Sequence, residues 1–155
     1  MKDMVDINVI IDERFEDPLV NIYTKKETEQ VDNIICAIED AARNHYPPIP
    51  VAINDKLQFI SQRMIYRIKT EGRKVSLETA EGTFTVKGTM ARFEEELDKE
   101  RFFRISQSEI INLYKVSFFD FSASGTIGVE FENGERSWVA RRSVKALREK
   151  LKNGR

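Results

Sequence analysis

The chain contains a single cysteine and a single histidine, and those two scarcities exclude much chemistry. Cys36 alone can form no intrachain disulfide and no cysteine-based zinc cluster. His45 stands beside Tyr46-Pro47-Pro48, where a triad would need a nucleophile and a third group to converge on the edge of a proline-rich link. It reads as a surface or linker residue. Gly-x-Gly-x-x-Gly and P-loop signatures are missing as well. No apolar run approaches the roughly 20 residues that a membrane helix needs. The opening stretch, MKDMVDINVIIDERFED, is acidic and lacks the basic start and apolar centre of a signal peptide. These gaps lead to the expectation of a cytoplasmic protein that is not an enzyme. No catalytic residue, metal ligand, cofactor or small-molecule substrate is expected.

What is present describes an ordinary globular chain of 155 residues, 41% hydrophobic and 33% charged. That length suits one domain plus a small appendage. Its net charge of −1 hides an asymmetry. Residues 1–50 carry 5 Lys/Arg against 11 Asp/Glu, 5 − 11 = −6, whereas residues 51–155 carry 20 against 15, 20 − 15 = +5. The last twenty residues hold 8 basic and 1 acidic side chain, 8 − 1 = +7. A basic end is compatible with a polyanionic partner and equally with a solvated helix whose cations favour its dipole.

The first fifty residues have the pattern strand, strand, helix. Ile7, Val9 and Ile11 alternate around Asn8, and residues 20–23 form a second short candidate after Pro18. Thr24 or Thr28 can cap a helix running to about residue 44. Val31, Ile34, Ile35 and Ile38 then make one apolar stripe, with Cys36 beside it and expected to be at least partly buried. Tyr46-Pro47-Pro48-Ile49-Pro50 ends this segment.

Beyond residue 50 the texture changes to short strands separated by turn signals. Val51–Ile53 and 57–61 flank Asn54-Asp55, and strands follow at 64–69, 75–79 and 83–86. Thr89 stands at an N-cap position before a short helix whose Met90, Phe93 and Leu97 face inward and whose Glu94-Glu95-Glu96 face out. Strands resume at 109–113, 116–121 and 127–131, and Asn133-Gly134 marks a hairpin leading to 136–139. Val144, Leu147 and Leu151 give a C-terminal helix one apolar face, and Gly154 follows it. The expected class is α+β, mainly antiparallel β. Residues 1–48 form a dimerisation or regulatory segment and residues 51–152 the main domain.

Residues 102–116, FFRISQSEIINLYKV, are the most informative stretch. Phe102 and Phe103 read as core, Arg104 can pair with a carboxylate inside the fold, and Asn112 suits a strand end where backbone groups need partners. Trp138 reads as packing or interface. The segment resembles the signature of the LytTR family of bacterial DNA-binding domains, roughly Phe-Phe-Arg-x-His-Arg-Ser-x-x-x-Asn. The element order over about residues 51–152 is similar too. The resemblance implies a mainly antiparallel β-fold that binds DNA without a recognition helix, its loops reaching successive major grooves. It also implies a transcription regulator acting as a homodimer on double-stranded DNA.

Carried over by position, the resemblance places Arg73 and Lys74 in one DNA-facing turn, with Gly72 free to adopt φ > 0. Ser106 and Gln107 stand where the family has His-Arg or His-Asn, Ser108 matches the following serine, and Arg142, beside Arg141, matches a basic residue before the last helix. Arg73, Gln107 and Arg142 are suited to base edges, since Arg pairs with guanine and Gln with adenine. Lys74, Ser106, Ser108 and Arg141 are suited to phosphates. The Ser-Gln pair departs from the family pattern by losing a ring and a charge. An interaction or ligand-sensing module on the same fold, without DNA binding, is the alternative. The chain is response-regulator-like, but the roughly fifty residues before the domain are too few for a receiver. It resembles the small stand-alone members, in which a neighbouring membrane protein is thought to hold the regulator inactive.

Overall fold

In the computed structural model, which describes residues 5–42 and 46–153, the chain divides into two units, Met1–Asn44 and His45–Arg155. His45 and Gly154, both assigned roles from the sequence, lie outside the described residues. In the first unit the helix α1 spans Glu29–Ala42. Thr28 starts it: its hydroxyl accepts from the Val31 amide at 3.4 Å and its carbonyl from the Asp32 amide at 3.0 Å.

The two strands expected at 7–11 and 20–23 are not formed. Residues 5–28 run without ladder pairing, bent at a turn where the Phe15 amide donates to the Asp12 carbonyl. Alternation supplies the period of a strand but not its neighbour, and a strand exists only as one side of a ladder. Ile7 and Ile11 are accordingly 85% and 93% exposed. A second correction concerns Cys36, which is exposed. No residue of α1 is buried: along its apolar stripe Val31, Ile34 and Ile38 are half-buried and Ile35 is exposed.

The second unit is built around five antiparallel strands. These are β3 (Ile65–Glu71), β4 (Lys74–Thr79), β5 (Gly82–Val86), β6 (Phe102–Ser106) and β7 (Glu109–Asn112), in spatial order β5-β4-β3-β7-β6. Before them, β1 (Ile49–Ile53) and β2 (Lys56–Ile60) form a hairpin. Its two-residue turn takes φ +48° at Asn54 and +62° at Asp55, the left-handed values that Asn and Asp tolerate best. After them, β8 (Val116–Asp120), β9 (Ile127–Phe131) and β10 (Arg136–Val139) make a three-stranded sheet.

Successive residues of the central strands point to opposite faces, and both faces are covered. Ile65, Ile68, Leu77, Phe102 and Ile110 join one core with Val51 of the hairpin and Phe93 and Leu97 at the helix α2 (Met90–Glu96). Tyr66, Ile105 and Ile111 join a second core with Val129, Phe131 and Val139 of the three-stranded sheet and Leu147 of the helix α3 (Arg141–Asn153). Burial on both faces explains why β3 is buried at four consecutive positions, Ile65 to Ile68. Asn112, fully buried, ties these layers together. Its Nδ2 donates to the Ile65 carbonyl at 2.8 Å and its Oδ1 accepts from the Tyr114 amide at 3.0 Å.

Candidate nucleic-acid interface

Register places two tight turns at the same end of the central sheet. β3 pairs with β7 so that Lys69 faces Glu109, and the chain therefore turns into β4 beside the turn that joins β6 to β7. The first turn is Gly72-Arg73, between the paired residues Glu71 and Lys74. Gly72 takes φ +61°, which a hairpin with glycine in first position favours. The second turn is Gln107-Ser108, between Ser106 and Glu109. A backbone bond from the Thr70 amide to the Ser108 carbonyl, 2.8 Å, joins the two.

A third segment is drawn to the same end. The Ala140 amide donates to the Ile105 carbonyl at 2.8 Å, so α3 begins beside the end of β6. Arg142 and Ser143 of α3 then line a groove of about 310 Å³ together with Glu94, Arg104, Ser106 and Gln107. Arg141 diverges from its neighbour. Its Nε lies 3.9 Å from where a Cβ on Gly125 would stand, beside the β8–β9 loop. Of the seven residues singled out in the sequence, Ser106, Gln107 and Arg142 thus share one groove. Ser108 lies in the turn that forms it, and Arg73 and Lys74 lie on the adjoining turn.

Charge pairing separates the cations of this region into two groups. Arg67, Lys69 and Arg104 are each held by carboxylates. Among the described residues, Arg73, Lys74, Arg141 and Arg142 have no ion-pair partner, and all four are exposed. Two adjacent arginines at the first turn of α3 also oppose its dipole, at a cost of about 0.3–1 kcal/mol. Unpaired, exposed cations at an electropositive helix start suit an anionic ligand. The serines serve the turn itself: the Ser108 amide donates to Ser106 Oγ at 3.2 Å and the two hydroxyls lie 3.3 Å apart. Each keeps hydrogen-bonding capacity, and the Gln107 side-chain amide makes no bond within the described residues.

Beneath the turns lies a buried ionic cluster that sequence reasoning missed. Arg67, 6% exposed, binds Glu78 at 2.5 Å on β4 and Glu109 at 3.1 Å on β7, and donates to the Arg136 carbonyl at 3.3 Å on β10. Ser137 Oγ donates to Glu109 from the same strand. Lys69 completes the set, 3.2 Å from Glu78 and 2.9 Å from Glu71. Burial acts to raise the Glu78 carboxyl, but the hydrogen bond and charge of Arg67, aided by Lys69, outweigh it and hold it below its usual range. The cluster pins β3, β4, β7 and β10 together directly below the two turns.

Arg104, whose Nη1 donates to Glu94 Oε2 at 2.8 Å, was the other undervalued residue. A carboxylate partner for it was foreseeable from the sequence. That the partner would come from the Glu94-Glu95-Glu96 run, read as a solvated face, was not.

Comparison with known proteins gives a consistent result. Residues 55–152 match the family model described as the LytTr DNA-binding domain. Two relatives, from Staphylococcus aureus strains MSSA476 and NCTC 8325 / PS 47, are each named an uncharacterized HTH-type transcriptional regulator. Each is 24% identical over 148 residues, covering 96% of this chain and 99% of the relative. Among solved structures, the LytTr DNA-binding domain of a Bacillus cereus protein superposes with a TM-score of 0.65 at 21% identity, covering 69% of this chain and 98% of that one. The described residues contain no pair of helices joined by a short turn, so the fold resembles that domain and not a helix-turn-helix.

Proposed function

The chain belongs to the LytTr DNA-binding domain family, and from that membership we propose that it is a bacterial, cytoplasmic transcription regulator reading duplex DNA through the turns at one end of its central sheet. The observation that carries this reading is the convergence of three segments, Gly72–Lys74, Ser106–Ser108 and Arg141–Arg142, with exposed and unpaired cations on two of them. Arg73, Gln107 and Arg142 contact base edges in the major groove, where the first and last can pair with guanine and the second with adenine. Lys74, Ser106, Ser108 and Arg141 contact phosphates and fix register. No helix serves as the reading head, because α3 offers its first turn, and not a face, to this end of the sheet.

The protein acts as a homodimer. Val31, Ile34, Ile35 and Ile38 line one face of α1, yet no residue of that helix is buried. A second copy supplying the same face would cover both stripes with an isologous contact. No helix among the described residues is long and apolar enough to cross a membrane.

Selection from a random pool of duplexes, followed by binding across a salt series, tests the reading. One enriched motif and a linear fall of log K with log salt, about 0.9 per phosphate contacted, are expected. A flat salt response with no enriched motif would sink it and favour an interaction module on the same fold.

A further inference from the structure

Arg104 lies in the groove, yet all of its directed bonding turns back into the protein. Nε donates to the Ser106 carbonyl at 3.1 Å, Nη2 to the Gln107 carbonyl at 2.8 Å and Nη1 to Glu94 Oε2 at 2.8 Å. Each of its three nitrogens is therefore engaged. The pairing of β6 with β7 shifts register between Arg104 and Ser106. A strand loses ladder bonds at such an irregularity, and the residues after it are re-aimed. The guanidinium bonds the backbone at that place, reaching two and three residues ahead of itself. Its planar fork suits two carbonyls and a carboxylate at once, which a lysine ammonium cannot match.

The alternative role for an arginine here is a direct phosphate contact. Two facts oppose it. Three of its five N–H donors are already committed to the protein at 2.8–3.1 Å, and the Glu94 carboxylate in the same groove already neutralises the guanidinium. The positive charge presented to a ligand comes from Arg142, which has no such partner.

We infer that Arg104 is a positioning residue for base readout: it clamps the Ser106 and Gln107 carbonyls at the Gln107-Ser108 turn so that the Gln107 side chain stands at a fixed angle, and Glu94 locks the clamp from α2. The lock is well anchored. Thr89 caps α2 by accepting from the Arg92 amide at 3.2 Å. At its other end, Lys99 Nζ donates to the Glu94 carbonyl at 2.6 Å, and Gln62 accepts from the Asp98 amide at 2.9 Å. This inference rests on the DNA-binding reading and deepens it, adding Arg104 and Glu94 to the residues that set sequence preference without touching a base.

The test uses the full chain and the variants Arg104→Lys, Arg104→Ala, Glu94→Gln and Gln107→Ala, with and without DNA. In the free protein, backbone order parameters at Gln107 and Ser108 should fall in Arg104→Lys from about 0.85 toward 0.6, and by less in Glu94→Gln. Ile110 and Ile111 should stay rigid in both, which excludes general unfolding. On the selected duplex, Arg104→Lys should lose about tenfold of the discrimination at the base pair that Gln107→Ala also loses. It should leave the salt slope unchanged, and the double variant should be no worse than Gln107→Ala alone. Unchanged order parameters at the turn would overturn the clamp. So would a salt slope reduced by about 0.9 in Arg104→Ala with equal losses on all sequences, the mark of a phosphate ligand. Failure of the wild-type protein to bind any duplex would remove the DNA reading instead, and the DNA-free measurement would still decide the clamp.

Discussion

Asn112 satisfies two backbone groups in a site with no water access, and its worth can be measured apart from DNA. Asn112→Ala leaves the Ile65 carbonyl and the Tyr114 amide without partners. A loss of about 1–3 kcal/mol per orphaned group is expected from denaturant unfolding; a change below about 0.5 kcal/mol would contradict the assignment. Gly128 is a second sensitive position. An added Cβ would stand 3.3 Å from both Asp120 Cβ and Trp138 Cζ3. The ring of Trp138, itself 57% exposed, lies against the glycine. Gly128→Ala should therefore shift the fluorescence of Trp138, the single tryptophan. Asn112 was legible in the sequence as a strand-end residue, and Phe102 as core. Arg67 was not. Within a β-pattern it looks like an ordinary polar position, and only the arrival of β10 over that face buries it.

Element by element, the ion cluster gives the domain a pH signature. Glu78 is held below its usual range in the folded state, so its contribution is present above the unfolded value of about 4.3. That contribution is lost as pH falls through the lower folded value. Stability measured from pH 7 to pH 2 should therefore decline below about pH 5, and Glu78→Gln should flatten that decline while lowering stability at pH 7. An identical acid profile in the variant would show that other carboxylates govern it. The same scale explains which elements could be read in advance. β4 alternates cleanly, Thr89 caps α2, and the turns at Asn54-Asp55 and Gly72 declare themselves by residue type. The strands expected at 7–11 and 20–23 had the right period without a partner. Pairing is a long-range property, and no local pattern contains it.

At the scale of the whole molecule, the incompletely buried stripe of α1 bears on assembly. Sedimentation at micromolar concentration should give a dimer, and Ile34→Glu with Ile38→Glu should give a folded monomer; a monomeric wild type with and without DNA would refute the dimer. The family and the fold class were legible from Phe102 to Asn112 and from the order of strands. The division of labour inside that segment was not. Its serines shape the turn, Arg104 bonds its carbonyls, and the side chains of Gln107 and the distant Arg142 line the groove without a partner among the described residues. Sequence spacing could not reveal that Arg142 and Gln107 line one groove, because 35 residues separate them (142 − 107) and one backbone bond, Ala140 to Ile105, joins their segments. The most direct test of the central claim compares Arg142→Ala with Lys74→Ala on the selected duplex and its single-base variants. Arg142→Ala should relax preference at one base pair and cost roughly 1–3 kcal/mol. Lys74→Ala should weaken every sequence alike and lower the salt slope by about 0.9. Wild-type affinity and specificity in both variants would contradict the claim that these turns form the DNA-reading surface.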